Sequence, residues 1–314
     1  MRIAIFGSGG VGGYFGGRLA AAGAADVAFI ARGAHLDALR SRGLRIESPK
    51  GNVSLPPLDP HHAASDPAAI GPADIVLFAV KLYDVEAAAA RLPPLIGDRT
   101  VVIPVQNGVD SVGLLTAALG REHVAGGTAY VAAVIAEPGL IRHTAMDHLI
   151  FGELDGSHSA RLEPFLAACR EAGFEATLSD HVEVDIWSKF VRLSVFSGMT
   201  AVTRCPLGPL RDDPDLFAML QAACMESLAV ARASGIALPA TVFDEVVAMV
   251  QGLPGQARSS MLEDLERGRP LELPWLSGAV VRIGRAVGVD TPIHRFIATV
   301  LKPHVRGASA PVTA

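Results

Sequence analysis

The chain has 314 residues, half of them hydrophobic, and a formal net charge of −5. That length suggests two domains of ordinary size, and the charge leaves no electrostatic footprint for nucleic acid or an anionic membrane surface. The three cysteines, Cys169, Cys205 and Cys224, are far apart and form no C-x-x-C pair, which points to buried thiols and suggests neither a zinc site nor a disulfide framework. No basic stretch leads into an apolar one at the start, and no run of about 18 apolar residues follows. The expectation is a cytoplasmic protein with neither membrane nor nucleic acid as partner.

Residues 3–6 are an apolar run without polar alternation, the pattern of a strand buried on both faces of a parallel sheet. Gly7-Ser8-Gly9-Gly10-Val11-Gly12 follows at once. In this G-x-G-x-x-G spacing Gly7 permits a tight turn, Gly9 lets the backbone approach a pyrophosphate, and Gly12 lets the next helix pack on the strand. The helix is expected over 11–22, stopped by Gly23. Its first amides are unpaired and lie at the positive end of the macrodipole, so a diphosphate lined by Gly7 through Gly12 needs no basic side chain. A second buried strand spans 27–31, and the position just beyond it is Arg32. An acidic residue there would take the ribose 2′-hydroxyl of NAD; an arginine, with no acid at the site, pairs with a 2′-phosphate, so the expected cofactor is NADP(H).

A short helix over 34–42 precedes a strand pair, 44–48 and 53–55, around Lys50-Gly51-Asn52. The proline-rich stretch 56–72 reads as connection, and its His61-His62 pair as part of a surface loop with only a remote claim to a metal. Residues 74–80 form the next buried strand, ending in Lys81; 84–92 form a helix; 100–105 form a strand ending in Gln106-Asn107-Gly108. This alternation is the doubly wound pattern, whose ligands sit at the carboxyl ends of strands, where Gly7, Lys81 and Asn107 stand. Strands over 124–134 and 148–153 flank a Glu137-Pro138-Gly139 turn, followed by a helix over 160–172 and an edge strand over 175–178. From His181 on only helices are expected, over 181–197, 214–234, 240–251, 256–266, 272–287 and 292–302, with a small, polar, frayed tail beyond Arg306. The fold class is therefore α/β, a Rossmann-type doubly wound sheet over residues 1–179 that binds the nucleotide, followed by an all-α domain over 180–314 for substrate and catalysis.

In the second half Ile186, Lys189, Leu193 and Ser197 fall at successive i+3 and i+4 steps, placing a lysine in a mainly apolar stripe. One reading is a stem that covers apolar surface with its head in water. The other is a lysine directed into a cleft between domains, where partial burial lowers its pKa and suits it to donate a proton. Gly268-Arg269-Pro270 interrupts the next helical stretch, so Ser260 and Glu272 are expected on two helices whose ends converge. Glu272 would then fall in a first turn, where the dipole favours its ionised form by about 0.3–1 kcal/mol.

Taken in order, Gly7-x-Gly9-x-x-Gly12, Lys81, Gln106-Asn107-Gly108, Trp187-Ser188-Lys189, Thr200-Ala201-Val202, Ser259-Ser260-Met261-Leu262-Glu263-Asp264, and 268–272 followed by Gly278 resemble the ketopantoate reductase (2-dehydropantoate 2-reductase) family over nearly the full chain. The resemblance implies NADPH-dependent reduction of a 2-keto acid, most simply ketopantoate to pantoate in pantothenate biosynthesis. It also implies roles: Lys189 as proton donor, Glu272 on the substrate's distal hydroxyl, Ser260 on its carboxylate, and Asn107 and Lys81 ordering substrate and cofactor. Members commonly carry asparagines one and two turns after the lysine, where this chain has Leu193 and Ser197, and some carry a polar residue at Ala257. Ser197 keeps a hydroxyl and counts with Asn107 and Ser260 among the substrate contacts. A 3-hydroxyacid or 6-phosphogluconate-type dehydrogenase shares the two-domain plan and a helical lysine. A non-catalytic NADP-binding regulator would need only the first domain, and the presence of Lys189, Ser260 and Glu272 together argues against it. A homodimer is compatible with the sequence, which does not itself set the oligomeric state.

Overall fold

The computed structural model describes residues 1–308; residues 309–314, which the sequence reads as part of the frayed tail, lie outside the described residues. The apolar run at the start forms β1 (Arg2–Phe6), and α1 (Gly10–Ala22) follows and ends at Gly23 in the left-handed conformation. Next come β2 (Asp26–Ile30), α2 (Gly33–Arg42), β3 (Arg45–Glu47) and β4 (Val53–Ser54). The stretch expected to be plain connection contains β5 (Ala63–Ala64), a two-residue strand parallel to β2. Two residues carry no periodicity, so only its partner strand defines it. β6 (Ile75–Phe78), α3 (Val85–Ala89) and β7 (Val101–Pro104) complete a five-stranded, all-parallel sheet in the order β5-β2-β1-β6-β7.

After β7 the chain adds α4 (Ser111–Leu119), which the sequence reading passes over, and then β8 (Gly126–Glu137) and β9 (Leu140–Gly152). These two form a long antiparallel hairpin. The pattern reading finds only the second half of β9 because residues 142–146 are mostly exposed, and because register shifts near Val131–Ala133 and a positive φ at Met146 break the two-residue alternation. α5 (Glu163–Glu171) and β10 (Glu175–Leu178) follow, and β10 pairs parallel to β9 at the edge of a second sheet, order β10-β9-β3-β4, with β8 on β9.

Both sheets press on α1, which explains the glycines along it. A Cβ at Gly16 would lie 2.6 Å from the Ile5 side chain of the first sheet, and one at Gly13 would lie 2.9 Å from Ile141 of the second. Each glycine costs a helix interior about 1 kcal/mol relative to alanine, and here it permits a backbone approach that any side chain would block.

The second compact unit comprises Asn107–Val109 and the chain from Glu183 onward; the first comprises Met1–Gln106 and Asp110–Val182. α6 (Val182–Thr203) runs on past the expected end at residue 197, so Ser197 and Thr200 lie on the same helix as Lys189. α7 (Leu207–Asp212), too short for a periodic signal, precedes α8 (Pro214–Ala233), whose N-cap Asp213 accepts from the amides of Asp215 and Leu216. By length and composition α8 could cross a membrane; here its apolar face, with Leu220, Cys224 and Leu228, is core. α9 (Val242–Gly252), α10 (Ser260–Glu266), α11 (Ser277–Val287) and α12 (Pro292–Leu301) complete the unit. The expected helix over 272–287 is corrected: residues Leu273–Trp275 form a 3-10 turn, Leu276 breaks the backbone at φ −108, ψ −102, and α11 begins only at Ser277. Burial pushes the Cys224 thiol up to about 12 and raises that of Cys169 as well, which makes both poor nucleophiles.

Candidate functional site

The glycine-rich turn shows which of its glycines serve the protein's own packing and which leaves room for a ligand. Gly7 has φ 98, and a Cβ there would lie 2.9 Å from the Ala79 carbonyl carbon just beyond β6. At Gly12 a Cβ would sit 2.3 Å from the Gly7 oxygen, and at Gly10 it would sit 2.1 Å from the Ala133 oxygen of β8. At Gly9 it would meet nothing within 4 Å. Gly9 is also the N-cap of α1, with no side-chain cap and no acid in the first turn, so the leading amides are not taken by the helix's own side chains. Val11 packs partly buried on the core. Ser8, placed by the sequence among the ligand positions, turns its hydroxyl inward: Oγ and N both donate to the Ile30 oxygen, at 3.1 and 3.2 Å. It braces the turn against β2.

Arg32 stands just past β2 with its side chain 69% exposed, and its Nη2 is 3.5 Å from Asp84 Oδ2. The expectation of no acid at this place is therefore corrected. Asp84 is far from Arg32 in sequence and arrives from the turn after β6, so β-sheet topology alone brings it here. Both residues, with Gly7, Val80 and Arg91, line a concave pocket of about 430 Å³ including its open mouth. Lys81 is exposed at the start of the Leu82–Asp84 turn. Gln106 donates from Nε2 to the Phe78 oxygen at 2.7 Å, while its Oε1 is buried without a partner among the described residues. Free backbone space at Gly9, uncapped helix amides, a cationic pocket and an orphaned acceptor thus gather at the carboxyl ends of β1, β2, β6 and β7. These features fit a dinucleotide.

In the second unit Lys189 is 7% exposed and Glu272 6% exposed. A snorkelling lysine would show its head to water, and this one does not. Burial lowers the Lys189 pKa to about 8, with the negative charge of Glu272 acting in the opposite direction. A drop from 10.5 to about 8 corresponds to about 3 kcal/mol of folding stability given up at pH values below 8, a cost that vanishes as pH rises to the unfolded value. Glu272 is not held by a helix dipole in a first turn; it precedes the 3-10 turn, several residues before α11, because Pro274 and the Leu276 backbone delay the helix.

Ser197 is buried and Leu193 half-buried on the Lys189 stripe of α6. The Ser259-Ser260 pair divides its labour. Ser259 is buried, caps α10 by accepting from the Leu262 amide at 3.1 Å, and meets Thr200 Oγ1 at 2.7 Å. Ser260 is exposed as the first residue of α10. The Thr200–Ser259 contact ties the start of α10 to the lysine helix, a positioning role that the motif alone did not assign. Asn107, half-buried, groups with this same unit although it lies just after β7, next to Gln106.

Residues 3–156 match the family profile described as Ketopantoate reductase PanE/ApbA, and residues 181–305 match its C-terminal counterpart. A 2-dehydropantoate 2-reductase of Mesorhizobium japonicum is 33% identical over 312 residues, covering 93% of this chain and 94% of its own. A PanE/ApbA family ketopantoate reductase from Ralstonia eutropha JMP134 superposes with a TM-score of 0.89 at 32% identity, covering 97% of this chain and 98% of that one. A 2-dehydropantoate 2-reductase from Geobacter metallireducens GS-15 also gives a TM-score of 0.89, at 28% identity over 96% and 99% of the two chains. With its parallel nucleotide-type sheet, its helical second half and a buried lysine beside a glutamate, the chain belongs to the ketopantoate reductase family of pyridine-nucleotide-dependent oxidoreductases.

Proposed function

We propose that the protein is a cytoplasmic enzyme that reduces a 2-keto acid to a 2-hydroxy acid with NADPH, ketopantoate to pantoate being the leading pair. The observation that carries this reading is the buried Lys189, held near a pKa of 8 beside Glu272. NADPH, when bound, supplies a hydride to the carbonyl carbon. Negative charge then develops on the carbonyl oxygen, and the Lys189 ammonium stabilises it and delivers a proton from Nζ. Glu272 keeps that ammonium charged at neutral pH and accepts a hydrogen bond from the substrate's distal hydroxyl. Ser260 holds the carboxylate, Ser197 contacts the substrate, and Asn107 and Lys81 order substrate and cofactor. The names of the relatives, 2-dehydropantoate 2-reductase, support the choice of substrate.

Cofactor choice is tested at Arg32. Arg32→Ala is expected to weaken NADPH binding about tenfold and leave NADH almost untouched, because a charge-assisted contact to the 2′-phosphate is lost. Direct binding titrations measure this, and equal affinity of the native protein for both cofactors sinks it.

Substrate choice turns on Leu193, one helical turn beyond Lys189. A leucine cannot bond a hydroxyl or carboxylate, so a polar group of ketopantoate beside it forgoes a contact worth about 0.5–1.5 kcal/mol. NADPH oxidation is measured against ketopantoate and branched 2-keto acids that lack the distal hydroxyl. Leu193→Asn should improve kcat/KM for ketopantoate about threefold to tenfold and for the others not at all. A native protein inactive on every 2-keto acid rejects the proposed reaction. Unchanged selectivity in the variant returns Leu193 to the core.

A further inference from the structure

We propose that Asp84 is a second cofactor-selectivity residue, set against Arg32, which holds the preference for a 2′-phosphorylated adenine nucleotide to a modest ratio and lets the unphosphorylated one bind. The inference rests on the nucleotide-site reading above. Its grounds are geometric. Asp84 Oδ2 lies 3.5 Å from Arg32 Nη2, and both line the same open pocket as Gly7, at the carboxyl end of β1. The side chains are 69% and 42% exposed, so their ion pair contributes little and either partner can exchange the other for a ligand.

Two ligands would meet this pair differently. A 2′-phosphate, with a charge between −1.5 and −2 at neutral pH on phosphomonoester chemistry of roughly that size, pairs with Arg32 and brings its oxygens to within about 6 Å of the Asp84 carboxylate. At that separation and in a solvent-exposed setting, like charges weaken binding about tenfold. A 2′-hydroxyl instead finds in Asp84 an acceptor of the kind NAD sites use. Arg91, the other cation of the pocket, donates from Nη2 to the Ser65 oxygen at 2.5 Å. The pocket therefore carries two guanidiniums and one carboxylate, and the carboxylate is the part that a plain phosphate site would not need.

The test is equilibrium calorimetry on the full-length protein with adenosine 2′,5′-bisphosphate, adenosine 5′-monophosphate, NADPH and NADH as probes. Asp84→Asn is isosteric and on the surface. It is expected to tighten the bisphosphate and NADPH about tenfold, to leave the monophosphate no tighter, and to weaken NADH severalfold. Asp84→Ala should give the same gain for the bisphosphate, which separates loss of charge from any new contact by the amide. An unchanged ratio of bisphosphate to monophosphate affinity in both variants overturns the proposal, as does equal tightening of both probes. Arg32→Ala keeps the two readings apart. If it binds the bisphosphate as the native protein does, the assignment of Arg32 to the phosphate fails; if it loses the bisphosphate while Asp84→Asn gains nothing, only the role of Asp84 falls.

Discussion

Lys189→Ala is expected to lower turnover by about 10²–10⁴-fold, the usual contribution of a positioned general acid, while the Kd for NADPH stays within about twofold. The separation follows from timing: in the proposed role the ammonium would act on charge that appears on the carbonyl oxygen only during hydride transfer, and would stabilise the transition state more than the bound ground state. The native pH profile carries the same signature. Below about 8 Lys189 is protonated and can donate; above it the acid form is lost, so kcat/KM for reduction should fall about tenfold per pH unit beyond that point. Stopped-flow hydride transfer and cofactor titration on the same preparations check both halves. A variant with native turnover, or a profile flat through pH 9.5, removes Lys189 from the chemistry and leaves its burial unexplained.

Glu272→Gln should reduce kcat/KM by about 10–100-fold, the span of a lost charge-assisted hydrogen bond, and should move the alkaline limb of the profile to lower pH. The direction is set by sign. The negative charge of Glu272 raises the Lys189 pKa against the burial that lowers it, so neutralising the glutamate removes the opposing effect and lets the lysine deprotonate earlier. A purely structural role would lower activity at every pH by one factor and leave the limb in place. The two mutations also couple. With Lys189 already gone, Glu272→Gln should cost much less than it does alone, because part of its effect passes through the lysine.

The nucleotide turn illustrates how far a linear pattern reaches. Gly7 has a positive φ, a Cβ at Gly9 would meet nothing within 4 Å, and Gly12 seats the helix close against β1. These are local demands on six consecutive residues, so local sequence can specify them. The Ser8 hydroxyl has a partner on β2, a contact that the turn does not encode.

The buried lysine was legible only in part. Helical spacing put Lys189 on an apolar stripe, yet snorkelling and full burial share that spacing, and the choice depends on what packs over the ammonium. Glu272 shows the reverse error: a proline and one backbone break moved the helix start downstream and removed the dipole that the pattern had assigned to it.

By itself the sequence determined the alternation of buried strands and helices, the nucleotide turn, the switch to helices after His181 and the family, because these rest on periodicity and on motifs whose residues are near neighbours along the chain. Only the tertiary structure decided the second sheet against α1, the pairing of Arg32 with Asp84, the bond between Thr200 and Ser259, and the burial that sets the Lys189 pKa. Each of these joins residues dozens of positions apart, and a contact at such separation is fixed by how strands and helices stack, which leaves no periodic trace in either partner's own segment.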